Sequence, residues 1–228
     1  MKISTMKKYL LSLSLLFILA SCETEIKLTE EDKKLILEEL SEINEVDQQF
    51  AGLPPEEMRA EYGNERAWEI FLEQRDSVGL VNQGRIKALY QQYGYLGEKK
   101  IGEEGASDFW ISIQHADNDV EFQQEMLEAM QKEIENGSQD KYHYAMLEDR
   151  VNVNLGKPQR FGSQLEYNEL GQAIPKNGLV DSANVEVLRA EYDMPTFKEY
   201  YNGMTSAHFE MNKEYFLGKG ITEPQLYK

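Results

Sequence analysis

The sequence predicts a mainly α fold: a single helical domain over residues 30–228, with a small β-hairpin or extended element near 158–176. Three observations predict it. Apolar residues recur at three- and four-residue spacing through most of the chain between Thr29 and Val151, and again from Ser182 to Gly218. Gly, Pro and short polar residues stand where such stretches must begin and end. After Gly156 the helical period disappears for about twenty residues that carry Gly, Pro and Asn instead.

The first helix is expected within "TEEDKKLILEELSEINEVDQQF", with Leu35, Ile36, Leu40, Ile43 and Phe50 near one face. Thr29 is its cap, with Asp32 three residues on. Pro54 and Pro55 end this stretch. A second helix is expected over "PEEMRAEYGNERAWEIFLEQRDSVGL", and a shorter one over "VNQGRIKALYQQYGYLG" that stops near Gly94. In "GEEGASDFWISIQHAD", Phe109, Trp110 and Ile113 face inward. In "DVEFQQEMLEAMQKEIENG", Phe122, Met126, Ala129 and Met130 form the apolar stripe and Gly137 is the stop. Ser138 is the cap expected for "SQDKYHYAMLEDRV". The segment "PQRFGSQLEYNELGQAIPKNG" reads as the hairpin or extended element, and "SANVEVLRAEYD", "PTFKEYY" and "SAHFEMNKEYFLG" return to helix.

Ahead of this body, "MKISTMKK" supplies Lys2, Lys7 and Lys8, and "YLLSLSLLFILA" supplies an apolar run too short to cross a hydrocarbon layer. Residues 1–21 therefore read as a signal peptide. The "LASC" that closes them, Leu19 to Cys22, resembles the lipobox of bacterial lipoproteins. That resemblance implies lipid attachment at Cys22, removal of the preceding peptide, and a protein tethered to a membrane of the cell envelope. Residues 22–29 read as an acidic tether. Cys22 is the only cysteine, so the body has no disulfide and no thiol for catalysis or zinc. Losing residues 1–21 removes three lysines and no acids, which deepens the formal charge from −17 to −20. A body this acidic is repelled by nucleic acid and by anionic headgroups.

Familiar reaction motifs are missing. In "GEKKIGEE" Glu103 stands where a phosphate loop needs lysine, and there is no Gly-x-Ser-x-Gly elbow and no His-Glu-x-x-His. No metal or cofactor is implied. The densest polar stretch is "QHADND", Gln114 to Asp119. His115 there reads either as a general base or metal ligand oriented by a neighbouring carboxylate, or as a packed histidine with Asp117 or Asp119 capping the next helix. In "AMLEDRVNVNLGKPQRFGSQ", Asp149 and Arg150 interrupt an apolar helix. Arg150 either staples another element or clamps a carboxylate or phosphate of a ligand, with Gln159 and Gln164 as neutral contacts.

The order of these motifs resembles a bacterial domain family of unknown function, family 6624, from Asp47 to about Tyr201. The shared pattern is carried by Asp47–Gln48, Asn82, Gly94–Leu96, Gly102, Gln114–Asp117, Phe122–Gln123, Asp149–Val151 and Gly156–Gln164, with Arg189 before the closing helix. The chain departs from it at Ala51, Gly79, Leu96, Phe161 and Ser163. The resemblance implies that His115, Gln123, Asp149, Arg150, Gln159 and Gln164 belong to one polar set, and it supplies no activity. The leading expectation is a lipid-anchored envelope protein that binds a small or peptidic anionic ligand in a polar pocket. Arg150 is its anion clamp, Gln159 and Gln164 are the neutral contacts with Gln123 beside them, and His115 is a switchable donor. One alternative is a hydrolase in which His115 is general base, oriented by Asp117 or Asp149. Another is a structural or partner-binding lipoprotein without a pocket.

Overall fold

The computed structural model describes residues 26–228; the expected signal peptide, Cys22 and the first half of the acidic tether lie outside the described residues. The first helix, α1 (Glu30–Gln48), opens with a reciprocal capping box. Thr29 Oγ1 accepts the Asp32 amide at 3.0 Å, and the Asp32 carboxylate accepts the Thr29 amide at 3.1 Å. Its buried face is Ile36, Leu40 and Ile43, spaced four and three apart. Leu35, expected on that face, is 55 % exposed, because one residue of rotation carries it around the helix. Phe50 lies beyond the helix end and packs its ring against Phe71 at 5.2 Å.

Helix α2 (Glu56–Tyr62) is short and buries no residue. Helix α3 (Asn64–Tyr93) runs unbroken for 30 residues, where the sequence suggested two helices. Gly79 and Gly84, inside it, face open space and require no change of backbone; Gly94, at φ +70°, is the true stop. Helix α4 (Glu98–Gln114) starts earlier than expected and carries a kink at Gly102, whose φ of 81° lies outside the helical region. It passes so close to α1 that a Cβ on Gly105 would sit 2.4 Å from Leu37 Cδ2. Helix α5 (Val120–Glu135) is capped by Asp119. Helix α6 (Lys141–Asn154) starts at Asp140 rather than at Ser138, whose hydroxyl accepts the Asp140 amide one turn outside the helix.

Helices α1, α3, α4, α5 and α6 enclose one core that includes Ile36, Leu40, Ile86, Phe109, Ile113, Met126, Leu147 and Val151. After α6 comes a loop, then an antiparallel hairpin of β1 (Leu165–Tyr167) and β2 (Ala173–Pro175), with Tyr167 opposite Ala173. Helices α7 (Val185–Glu191), α8 (Phe197–Met211) and α9 (Lys213–Gly218) complete the chain. Rings of α8 and α9 stack in pairs, Phe197 on Tyr201 at 4.0 Å and Phe209 on Phe216 at 5.6 Å, and a second buried apolar cluster forms from Ala145, Phe161 and Met194. The fold is mainly helical with a small hairpin, as the sequence predicts. No helix among the described residues is long and apolar enough to cross a membrane.

Candidate functional site

The turn between α4 and α5 sends three of its polar side chains, His115, Asp117 and Asp119, to other helices. His115, the residue that closes α4, turns to the end of α1, where its Nδ1 lies 2.9 Å from Asp47 Oδ2. Asp117 turns to α6. Arg150 donates Nε to Asp117 Oδ1 at 2.7 Å and Nη2 to Oδ2 at 2.5 Å, a two-pronged guanidinium–carboxylate fork. Asn154, one turn further along α6, donates to Asp117 Oδ1 at 2.9 Å. Asp119 accepts the Phe122 amide at 2.9 Å to cap α5 and pairs with Lys87 of α3. Ala116, between them, is buried. So four helices are pinned to five residues of chain.

Gln123 fills the space beneath this turn. It is fully buried, and its amide donates to the carbonyls of Ile113 (3.1 Å) and Gln114 (3.3 Å) at the end of α4, the first of which also accepts the Ala116 amide at 3.2 Å. Burial raises the Asp117 carboxyl, but hydrogen bonds from Arg150, Asn154 and Gln123 outweigh that, and its pKa falls below the usual carboxylate value. The Lys87 ammonium, then the Phe122 amide, hold Asp119 low as well.

The remaining predicted residues gather at the loop that follows α6. Asp149 is fully buried. Its Oδ1 accepts the amides of Arg160 (2.8 Å) and Phe161 (3.1 Å), and its Oδ2 accepts that of Ser163 (2.8 Å). Burial pushes this carboxyl up against the opposing pull of the three amides. Gln159, also buried, closes the same loop as a ring. Its Nε2 donates to the carbonyls of Gln164 (2.7 Å) and Lys176 (2.6 Å), and its Oε1 accepts the Gln164 amide at 2.8 Å. Gln164 is half-buried and its side chain reaches only Ser163 Oγ, at 3.3 Å. From the opposite side, buried Arg189 donates to the carbonyls of Phe161 (2.7 Å) and Pro195 (2.7 Å). Tyr201 donates to Gly162 O at 3.0 Å. Thus Asp149 takes the loop's amide hydrogens while Arg189 and Tyr201 take its carbonyls.

A family described as "Family of unknown function (DUF6624)" matches residues 36–211. The chain belongs to that family. No curated protein and no solved structure matches it. The DUF6624 span reaches further in both directions than the motifs that suggest it, from the first buried residue of α1 to the last residue of α8.

The polar set therefore divides. Asp117, Arg150 and Gln123 meet at the α4–α5 turn, and His115 leaves that turn for α1. Asp149, Gln159 and Gln164 meet at the 159–164 loop. The carboxylate on the His115 ring comes from Asp47, which sequence reasoning left out of the site although it stands in the first family motif, Asp47–Gln48. Asn154, four residues after Arg150 and so on the same helix face, is the other omission. The His115 side chain is 41 % exposed, and its Nε2 makes no hydrogen bond among the described residues. Among the described residues no group of three or more His, Cys, Asp and Glu side chains could hold a metal ion.

Proposed function

We propose that this protein is a lipid-anchored component of the bacterial cell envelope and that its α4–α5 turn is a site for a small or peptidic ligand. The observation that carries the site is the His115–Asp47 pair: a ring fixed at Nδ1 at 2.9 Å and open to solvent. A carboxylate on one ring nitrogen fixes the tautomer and leaves the other as the working atom. Nε2 then accepts a hydrogen bond from a neutral ligand, or donates one to an acidic ligand when the ring is protonated. Arg150 is the second contact. Its fork is filled by Asp117, whose side chain is 46 % exposed, so an acidic ligand is received by exchange of one carboxylate for another. Gln123, Asp149 and Gln159 hold the scaffold, because their polar atoms are already engaged.

The test is thermal-shift titration of the mature protein with dicarboxylates and with di- and tripeptides that carry Asp or Glu. His115→Ala and Arg150→Lys are expected to abolish any ligand-induced rise in Tm; a rise that survives both substitutions refutes the site. Anchoring is tested separately: Cys22→Ser moves the protein from the membrane fraction to the soluble fraction and removes acyl labelling.

A second reading, hydrolysis, is favoured by the same pair. With Asp47 on Nδ1, Nε2 can take a proton from water as that water attacks a carbonyl or phosphoryl centre. Chromogenic p-nitrophenyl acetate and phosphate are the probes. The reading expects turnover above buffer that His115→Ala removes and Asp47→Asn lowers at least tenfold; a wild-type rate equal to buffer eliminates it for both substrate types.

A further inference from the structure

Residues 219–228 carry no helix or strand, yet one of them is held with unusual completeness. Asn202, on α8, uses both ends of its carboxamide on the main chain of a single residue. Its Oδ1 accepts the Tyr227 amide at 2.7 Å and its Nδ2 donates to the Tyr227 carbonyl at 3.1 Å. A neighbouring β-strand makes the same pair of bonds to an extended peptide, here supplied by one side chain. The Tyr227 ring packs edge-on against Phe197 and Tyr201, with centroids 5.6 and 5.9 Å away. Its hydroxyl donates to the Ala173 carbonyl of β2 at 2.9 Å. Ala173 is itself fixed, because its amide donates to Thr205 Oγ1 at 3.0 Å.

By contrast, the stretch before Tyr227 touches little. Thr222, Glu223, Gln225 and Leu226 are exposed, and Ile221 ends the contact with α9 through its amide on Phe216 O. The segment is thus a single-anchor strap, and the slot that receives the anchor is built wholly from α8 and β2. Main-chain bonds that ignore sequence, joined to one side-chain pocket that does not, are how extended peptides are recognised.

We propose that Asn202, Phe197, Tyr201 and the Ala173 carbonyl form a recognition site for an extended peptide bearing a tyrosine, occupied in this structure by the chain's own 222–228 segment. The site is independent of the His115 turn. The peptide shown to fit the slot is carried by every copy of the chain, so the same segment of a second copy competes with the strap for it.

The probe is a fluorescein-labelled peptide with the sequence TEPQLYK, titrated by anisotropy into the full mature chain. Tyr227→Ala opens the slot, and this variant is expected to bind the probe at least tenfold more tightly than wild type. Replacing the probe's tyrosine by phenylalanine removes the bond to Ala173 and weakens binding about five- to tenfold. Adding Asn202→Ala to Tyr227→Ala abolishes binding. Should Tyr227→Ala fold poorly, trypsin cleavage after Lys219 is followed in the otherwise wild-type chain, where Asn202→Ala is expected to speed it several-fold. Sedimentation of the wild-type chain at rising concentration is expected to show a dimer that Tyr227→Ala dissociates, and a monomer throughout overturns exchange between copies. No binding to folded Tyr227→Ala at millimolar probe, binding that Asn202→Ala leaves intact, or unchanged cleavage overturns the proposal.

Discussion

Replacing Asp149 by alanine removes the acceptor for three main-chain amides at once. Phe161 and Ser163 are buried, and each orphaned donor costs about 1–3 kcal/mol. The Arg160 residue is half-buried, so its amide can turn to water and adds little. The two buried amides together therefore cost about 2–6 kcal/mol. In a chain of this size each kcal/mol moves Tm by about 2–4 °C, so Asp149→Ala is expected to lower it by about 4–24 °C. Asp149→Asn falls between, since its oxygen still accepts two amides while its NH2 opposes the third. The assay is thermal unfolding by circular dichroism, with hydrogen exchange at Arg160, Phe161 and Ser163 as the local readout. Asp76→Ala is the control, at a side chain 70 % exposed and loosely paired. If Asp149→Ala and Asp76→Ala shift Tm equally, and the three amides stay protected, the carboxylate does not organise the loop.

The other stability predictions follow from the same geometry. Arg189→Lys keeps the charge but loses the fork that holds both Phe161 O and Pro195 O, and is expected to cost about 1–3 kcal/mol in urea unfolding. Gly171→Ala is expected to cost at least about 2 kcal/mol, because φ there is +76° and a Cβ would meet the Phe216 ring at 2.4 Å; loss of α9 signal in hydrogen exchange would accompany it. The Asp117 carboxyl is held below its ordinary value of 3.8, so its contribution is full above that pH and is lost as pH falls through the lower folded value. Wild type should therefore lose Tm steeply below about pH 4, and Asp117→Asn should flatten that fall while lowering Tm at pH 7. Thr29→Ala removes one arm of the α1 capping box and is expected to cost about 1 kcal/mol.

The helices were legible because periodicity and burial express the same requirement. Ile36, Leu40 and Ile43, or Phe122, Met126 and Met130, must share a face if the helix is to bury one. Where the reading erred, the local signal was ambiguous. Leu35 sits beside Ile36 and is as apolar, but the buried face of α1 is narrow and Ile36, Leu40 and Ile43 occupy it. The break expected between Leu80 and Val81 is absent from α3, since nearby Gly79 lies on an open face, where a glycine costs a helix only about 1 kcal/mol. Side-chain partners were less legible still, since which carboxylate meets His115 depends on where α1 ends relative to α4, a long-range fact.

The Asp149–Arg150 pair shows what such a reading can and cannot reach. Two charges in an apolar helix stretch imply partners, and both have them. They do not pair with one another, because adjacent helical residues point about 100° apart. Asp149 faces inward to the amides of the loop, and Arg150 faces sideways to the α4–α5 turn. One helix position thus ties the hairpin loop, and the next ties the turn that carries His115. A change in either tie must pass through the same turn of α6 to reach the other. That makes double substitution of Asp149 and Arg150 the place to look for non-additive stability, since the two sites share a backbone segment and no side-chain contact. Coupling below about 0.5 kcal/mol would mean that the loop and the turn are held independently, and that the His115 site can be altered without disturbing the rest of the fold.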